Sequence, residues 1–485
     1  MARLVARALR LGRSALIQVG AACSYQGRYR TSFVASALMW HSPVIIVAAE
    51  VVQQRLVKVE IPRLQQWLGI NKAIRIGDAW PGGDFQGLFL ISPQAWLKAQ
   101  LTPHENFPAG IPTIIDGVDD LEVWARDQLT ITWEAHDWDQ LILGYPHIAE
   151  EIRSVRAKLT HELFQHPANP YECYLISQAE TEILSSLYSN LDIDTLPDAW
   201  KQFWQQFQHC CSLTPPSLLW ATIARRQGLF SLHSAPIDIA EILAPIWQRQ
   251  PVVLIGSSLE PETEAPIFRQ HLGLGEELTC LKFSDSQTEA IQLYIPYQLP
   301  LPNTPEFQAA FIHKVRTLVC LSATSPGLTA VLVGDVPLKS QVGAILASEF
   351  GSRVQVEKTC LDENGILISG WEFWREHQKV LPAPQLIIIA TLPLPSLEHP
   401  LVAGRVAHYK RSHQDWFRLY LLPAALNELQ RAIAPARESQ GIVALLDSRV
   451  VNRSYGAQIL TALSPLARIN YLDPSLFSQH SKDDS

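Results

Sequence analysis

Two short stretches carry residue types that could handle a phosphate. After the apolar run SALIQVG (14–20) comes GAACSYQGRYRT (20–31), with Gly27, Arg28, Arg30 and Thr31. Further on, IPTII (111–115) ends in Asp116 and continues as Gly117, Val118, Asp119 and Asp120. A glycine turn frees backbone N–H groups to face phosphate oxygens, a cation neutralises them, and a hydroxyl and a strand-end carboxylate can hold Mg²⁺. Hydrolysis of ATP at such a site also needs a carboxylate to orient water and an arginine to stabilise the transition state.

Both stretches must be presented by buried strands. The runs SALIQVG (14–20), PVIIVAAE (43–50), GLFLISPQ (87–94) and IPTIIDG (111–117) end in small, polar or acidic residues. With the helical stretch VVQQRLVKVEIPRLQQWL (51–68) between them, they predict alternating strands and helices in a parallel sheet. From 133 to 215 amphipathic helices follow one another, which predicts a helical insertion. PVVLIGSSLE (251–260) resumes the first sheet. A second series begins beyond the proline-rich IPYQLPLPNTPEF (295–307), with strands at 316–324, 328–334, 364–370, 385–393 and 441–449. The fold class expected is α/β: two parallel-sheet domains with an α-helical insertion in the first. The boundaries are 1–132, 133–215, 216–310 (the rest of the first domain and the joint) and 311–485.

The 485 residues exceed one hydrophobic core, and 47% hydrophobic with 18% charged residues describes a globular chain. A formal charge of −8 argues against a generally basic surface, so nucleic-acid binding would be local to a groove. The seven cysteines are scattered without a Cys-x-x-Cys pair and read as free thiols in a reducing, cytoplasmic setting. No run reaches the roughly 18 apolar residues of a membrane span. The first 49 residues hold six arginines and no acid, which is read as an amphipathic helix followed by a strand.

The last hundred residues carry the most specific pattern. QLIIIATLPLPSLEHPLVAGRV (385–406) and YLLPAALNELQRAIAPARESQGIVALLDSRVVNRSYGAQILTALSP (420–465) contain Leu392, Pro393, Pro395, Pro400, Gln430, Arg437, Asp447, Arg449, Tyr455 and Gly456. This order and spacing resembles the C-terminal helicase domain of the DinG/XPD family of superfamily 2 helicases. The resemblance implies two RecA-like domains, ATP with Mg²⁺ as cofactor, and DNA, single-stranded or a tailed duplex, as partner. It implies Asp116 as the Mg²⁺-holding carboxylate and Gly27, Arg28, Arg30, Thr31, Gln430 and Arg449 around the nucleotide. Arg437 stands as the surviving finger arginine. Arg405, Lys410 and Arg411 are the candidate nucleic-acid contacts, with a solvated charge cluster as their plainer reading.

Against that pattern the required chemistry is eroded. Gly117 stands where the family has Glu, Arg28 or Arg30 where it has Lys, Ala434 where it has the first finger arginine, and Glu376 and Gln378 at the Gly and Asp of its motif V. No cysteine occurs between Ser24 and Glu172, so the family's iron–sulfur cluster is not expected. The expectation is a helicase fold that binds nucleic acid with weakened or lost ATP hydrolysis. An active helicase with divergent motifs, and a protein-interaction scaffold without a nucleic-acid role, are the alternatives.

Overall fold

In the computed structural model, residues 1–102, 107–193, 196–211, 217–283, 290–323, 326–471 and 473–478 are described. The first domain begins with β1 (Ala15–Gln18), β2 (Val44–Val47), β3 (Ile74–Ile76), β4 (Leu88–Ile91) and β5 (Thr113–Asp116). The insertion carries β6 (Ile131–Trp133), β7 (Cys173–Leu175), β8 (Ser217–Ala224) and β9 (Leu229–Pro236), after which β10 (Val252–Gly256) and β11 (Thr279–Lys282) return to the first sheet. That sheet runs β11-β1-β10-β5-β2-β4-β3, with every pairing parallel. Strands β1, β2, β4 and β5 are buried along their whole length, because helices cover both faces.

The second domain holds β12 (Ile291–Tyr294), β13 (Leu328–Leu332), β14 (Val354–Val356), β15 (Ile366–Ser369), β16 (Pro384–Ile389), β17 (Ile442–Leu445) and β18 (Leu466–Ile469). Its order is β14-β15-β13-β16-β17-β12-β18, again wholly parallel. The architecture is therefore α/β with two parallel-sheet domains. Strand β12 pairs with β17 and β18, so the second sheet recruits a strand that precedes residue 311.

Two expectations are corrected. The apolar run at 316–324 is not the strand that opens the second sheet, because Pro305–Ser322 is one helix. Phe307, Phe311, Val315, Leu318 and Val319 are its buried residues, spaced for a helix; the short run VCL within it reads equally well as a strand in isolation. The insertion has the expected helices, including Ala149–Gln165, Gln178–Tyr188 and Asp198–Cys211, but it also has an antiparallel sheet in the order β6-β9-β8-β7. Its long hairpin, β8 with β9, lies beyond the expected end at 215 and closes the core of the insertion. Phe203, Trp204 and Phe207 are buried there beside Trp133 and Trp138, so the aromatic helix face is core. Side chains of Cys210 and Cys211 lie outside the described residues.

Candidate functional site

The segment after β1 departs from an open phosphate loop. It folds into α2 (Ala21–Gln26), passes through a left-handed Gly27 (φ +69°), and enters α3 (Arg30–Met39). A Cβ on Gly27 would meet Arg30 Nη1 at 2.3 Å, so glycine serves here to let the guanidinium pass. The backbone N–H of Ser24 donates to the Gly20 carbonyl, and that of Gly27 to Cys23 and Ser24. These amides are satisfied inside the chain and do not face outward as an anion nest.

Arg30 reaches back to the end of β5. Its Nε donates to Asp116 Oδ2 at 2.8 Å, and the Tyr29 hydroxyl donates to Asp116 Oδ1. Asp116 is 3% exposed and Arg30 8% exposed, so this is a buried ion pair with a phenol completing it. Burial opposes the Arg30 charge, but Asp116 and Tyr29 outweigh that and raise the guanidinium pKa. The Tyr29 phenol is pushed well above its ordinary value by burial and by the Asp116 charge. Both carboxylate oxygens are thus engaged, and Arg30 cannot leave without stranding a buried charge.

Gly117 follows with φ +78°, a left-handed position that a glutamate would occupy only with strain. Asp119 turns away from this corner, accepting from the Ser257 N–H at 2.9 Å and from the Ser257 hydroxyl. Asp120 crosses to the second domain and pairs with Arg431 at 2.7 Å. Burial opposes the Arg431 charge, and Asp119 and Asp120 overcome it, raising its pKa.

The second domain is joined at the same corner. Helix α2 packs directly on the Leu422–Glu438 helix. Arg28 pairs with Glu438 at 2.9 Å, its side chain 71% exposed, and the Tyr25 hydroxyl donates to the Gln378 carbonyl at 2.9 Å. The cleft that remains measures about 230 Å³ and is walled by Tyr29, Arg30 and Asp116 opposite Arg375, Lys379 and Arg431. That is below the roughly 300–1,000 Å³ usual for a small-molecule site. A neighbouring space of about 600 Å³ lies beyond Gly20 and Ala21, bordered by Lys282, Gln430 and Arg437. Lys282 there donates to the Glu260 and Pro261 carbonyls at 2.7 and 2.9 Å.

The remaining sequence candidates sit apart from Asp116. Arg437 is 1% exposed and donates to the carbonyls of Leu463 at 2.6 Å, Ser464 at 3.2 Å and Pro465 at 3.0 Å. Gln430 donates to the Ala462 carbonyl at 2.8 Å. Arg449 grips Asp447, Nη2 to Oδ2 at 2.6 Å, while Asp447 also accepts from the Leu392 N–H at 2.8 Å. Thr31 is exposed and donates to the Arg28 carbonyl at 3.0 Å. Arg405 lies 3.8 Å from Glu122 across the domain boundary and over the Tyr420 ring. Lys410 lies over Trp416, and Arg411 is exposed at the end of the Pro400–Arg411 helix. Arg431, Glu438 and Tyr29 are the site residues the sequence left without a role. Arg431, Ala434 and Glu438 share one helix face by spacing, as Gln430 and Arg437 share another. That spacing is the signal that could have separated the inward pair from the cleft pair.

The Asp116 corner does not fit a Mg²⁺ ion as it stands. The carboxylate expected to hold Mg²⁺ is bonded on both oxygens, and the Ser24 and Gly27 amides are bonded within the segment itself. Among the described residues no group of three or more His, Cys, Asp or Glu stands ready for a metal ion. No helix among them is long and apolar enough to cross a membrane.

A family model described as the helicase C-terminal domain matches residues 382–466. The ATP-dependent DNA helicase YoaA of Haemophilus influenzae is 23% identical over 257 residues, 50% of this chain and 40% of that protein. The Escherichia coli YoaA is 22% identical over 49% of this chain and 40% of that protein. The chain thus spans about two fifths of the length of the curated relatives it matches. Among solved structures, an XPD helicase superposes with a TM-score of 0.61 at 11% identity, covering 96% of this chain and 98% of that one. Xpd4 of S. tokodaii gives 0.59 at 13% identity, over 96% and 98%. With two parallel-sheet domains meeting at the β5 corner and a match to the helicase C-terminal domain over residues 382–466, the chain has the fold of the XPD structures and is similar to the YoaA helicases over half its length.

Proposed function

We propose that the chain is a pseudo-helicase, a two-domain helicase fold that binds nucleic acid and has lost efficient ATP hydrolysis. The observation that carries this reading is the Asp116 carboxylate, held on one oxygen by Tyr29 and on the other by Arg30 in a buried corner. A Mg²⁺ ion would have to expel a buried guanidinium, and breaking such a pair costs on the order of 3–5 kcal/mol. Gly117 supplies no water-orienting carboxylate, and Arg437 is committed to the carbonyls of its own domain. Arg28 with Glu438, Asp120 with Arg431, and α2 itself tie the domains where a nucleotide would otherwise bridge them.

The nucleic-acid part of the reading draws on the relatives described as DNA helicases. DNA, single-stranded or as a tailed duplex, is the ligand it commits to. Lys410 and Arg411 remain candidate contacts on this reading, whereas Arg405 is engaged with Glu122 and Tyr420. The test is binding of a fluorescent oligothymidylate at two salt concentrations, with and without MgATP. Salt-sensitive binding indifferent to MgATP supports the reading. A chain that binds no DNA is instead a protein-interaction scaffold.

A second reading, ATP-driven unwinding with divergent motifs, is favoured by the activity in the YoaA name and by Arg375 and Lys379 on the cleft wall. ATP-dependent unwinding of a 5′-tailed duplex would establish it and overturn the first.

A further inference from the structure

Helix α1 (Ala2–Leu11) has two unlike faces. Val5, Ala8 and Leu9 are buried, and the helix packs on α3. Arg3, Arg7 and Arg10 are exposed, and the chain then turns at a left-handed Gly12 (φ +59°) into exposed Arg13. At 3.6 residues per turn the three helical arginines fall within about 60° of one another, opposite the buried face, along roughly 10 Å of axis. Among the described residues none of these four arginines forms a salt bridge or a side-chain hydrogen bond. No acid precedes Glu50, although the chain as a whole carries −8.

A helix of the insertion shows the other pattern, with arginines interleaved with acids. The Ala149–Gln165 helix pairs Arg153 with Glu150, and its Arg156 reaches Asp139. That solvated face mixes signs, and α1 does not. Unpartnered guanidinium groups in a row suit phosphate, which they grip through planar paired donors. An acidic membrane would also attract the charge, but the apolar face that would enter the lipid is buried in the domain core.

We propose that the Arg3–Arg7–Arg10 row, extended by Arg13, is a docking surface for the phosphodiester backbone of a nucleic acid. None of these arginines lines the inter-domain cleft or lies on the helix of Arg405, Lys410 and Arg411, so this surface is additional to those candidate contacts. It reads the backbone without base specificity, as isolated phosphate contacts do.

The experiment compares the full chain with Arg3→Ala/Arg7→Ala/Arg10→Ala, measuring anisotropy of fluorescent oligothymidylate between about 50 and 200 mM salt. Loss of three phosphate contacts lowers the salt slope by about 2 and the affinity roughly 10- to 100-fold. The exposed positions leave the thermal unfolding midpoint unchanged, and Arg3→Lys/Arg7→Lys/Arg10→Lys recovers most of the slope. Unaltered affinity and slope in the alanine variant overturn the proposal while leaving DNA binding elsewhere on the chain intact. Absence of binding by the full chain overturns both. Cosedimentation with phosphatidylserine vesicles that the alanine variant loses, with DNA binding retained, assigns the row to a membrane instead and also overturns it.

Discussion

Each domain buries an aspartate at the end of a central strand and answers it with an arginine, but the arginine comes from different distances. Asp116 ends β5 and receives Arg30 from 86 residues upstream; Asp447 follows β17 and receives Arg449 from two residues downstream. The local pair is a turn device that fixes the chain after β17 and, through the Leu392 N–H, anchors the end of β16. The distant pair brings the segment after β1 onto the carboxylate at the end of β5. The pair of the second domain thus fixes one turn, while the pair of the first joins two distant segments in a buried corner.

Removing each arginine breaks this comparison most directly. Arg30→Ala leaves Asp116 buried beside a phenol only and is expected to cost about 3–5 kcal/mol in denaturant unfolding. Arg30→Met with Asp116→Leu recovers most of that loss, since no charge is then stranded. A neutral Arg30→Ala would mean that the corner is open to water or ligand. Arg449→Ala costs less, about 2–3 kcal/mol, because Asp447 keeps the Leu392 N–H and the arginine already has 20% of its side chain exposed.

Restoring the family's carboxylate sharpens the contrast. Gly117→Glu places a side chain at φ +78° and is expected to destabilise by about 1–2 kcal/mol without producing ATP turnover. Turnover in that variant would mean that Arg30 and Tyr29 can release Asp116.

The smallest effect concerns the polar seam between the domains, where Glu122 meets Arg126 at 2.8 Å, His271 at 3.3 Å and Arg405 at 3.8 Å. Burial would raise the Glu122 pKa, but the His271 hydrogen bond and the two arginines hold it below the usual carboxylate range. A depressed carboxylate pKa stabilises fully above the unfolded value of about 4.3 and progressively less as pH falls below it. Unfolding midpoints from pH 6 to pH 3 are expected to fall more steeply for the native chain than for Glu122→Gln. Parallel slopes would remove Glu122 from the seam.

The sequence made the two sheets legible because parallel strands covered on both faces read as continuous apolar runs, as at Val44–Val47 and Thr113–Asp116. It misread 316–324 because a short apolar run does not reveal its period until Phe307 and Phe311 are counted with it. The antiparallel sheet of the insertion escaped because β6 and β7 are three residues each and β8 falls past the expected boundary. At the site, erosion of the chemistry was visible residue by residue at Gly117 and Ala434. The replacement was not, because the Arg30–Asp116 contact and the α2 packing are long-range facts that no local spacing encodes.

Whether the Asp116 corner admits MgATP decides between a pseudo-helicase and a working ATPase. The direct test is ATP turnover by the purified full chain, with and without single-stranded DNA, alongside Asp116→Ala. Background turnover is expected in all conditions, with no difference between the two proteins. DNA-stimulated hydrolysis that disappears in Asp116→Ala would contradict the pseudo-helicase reading.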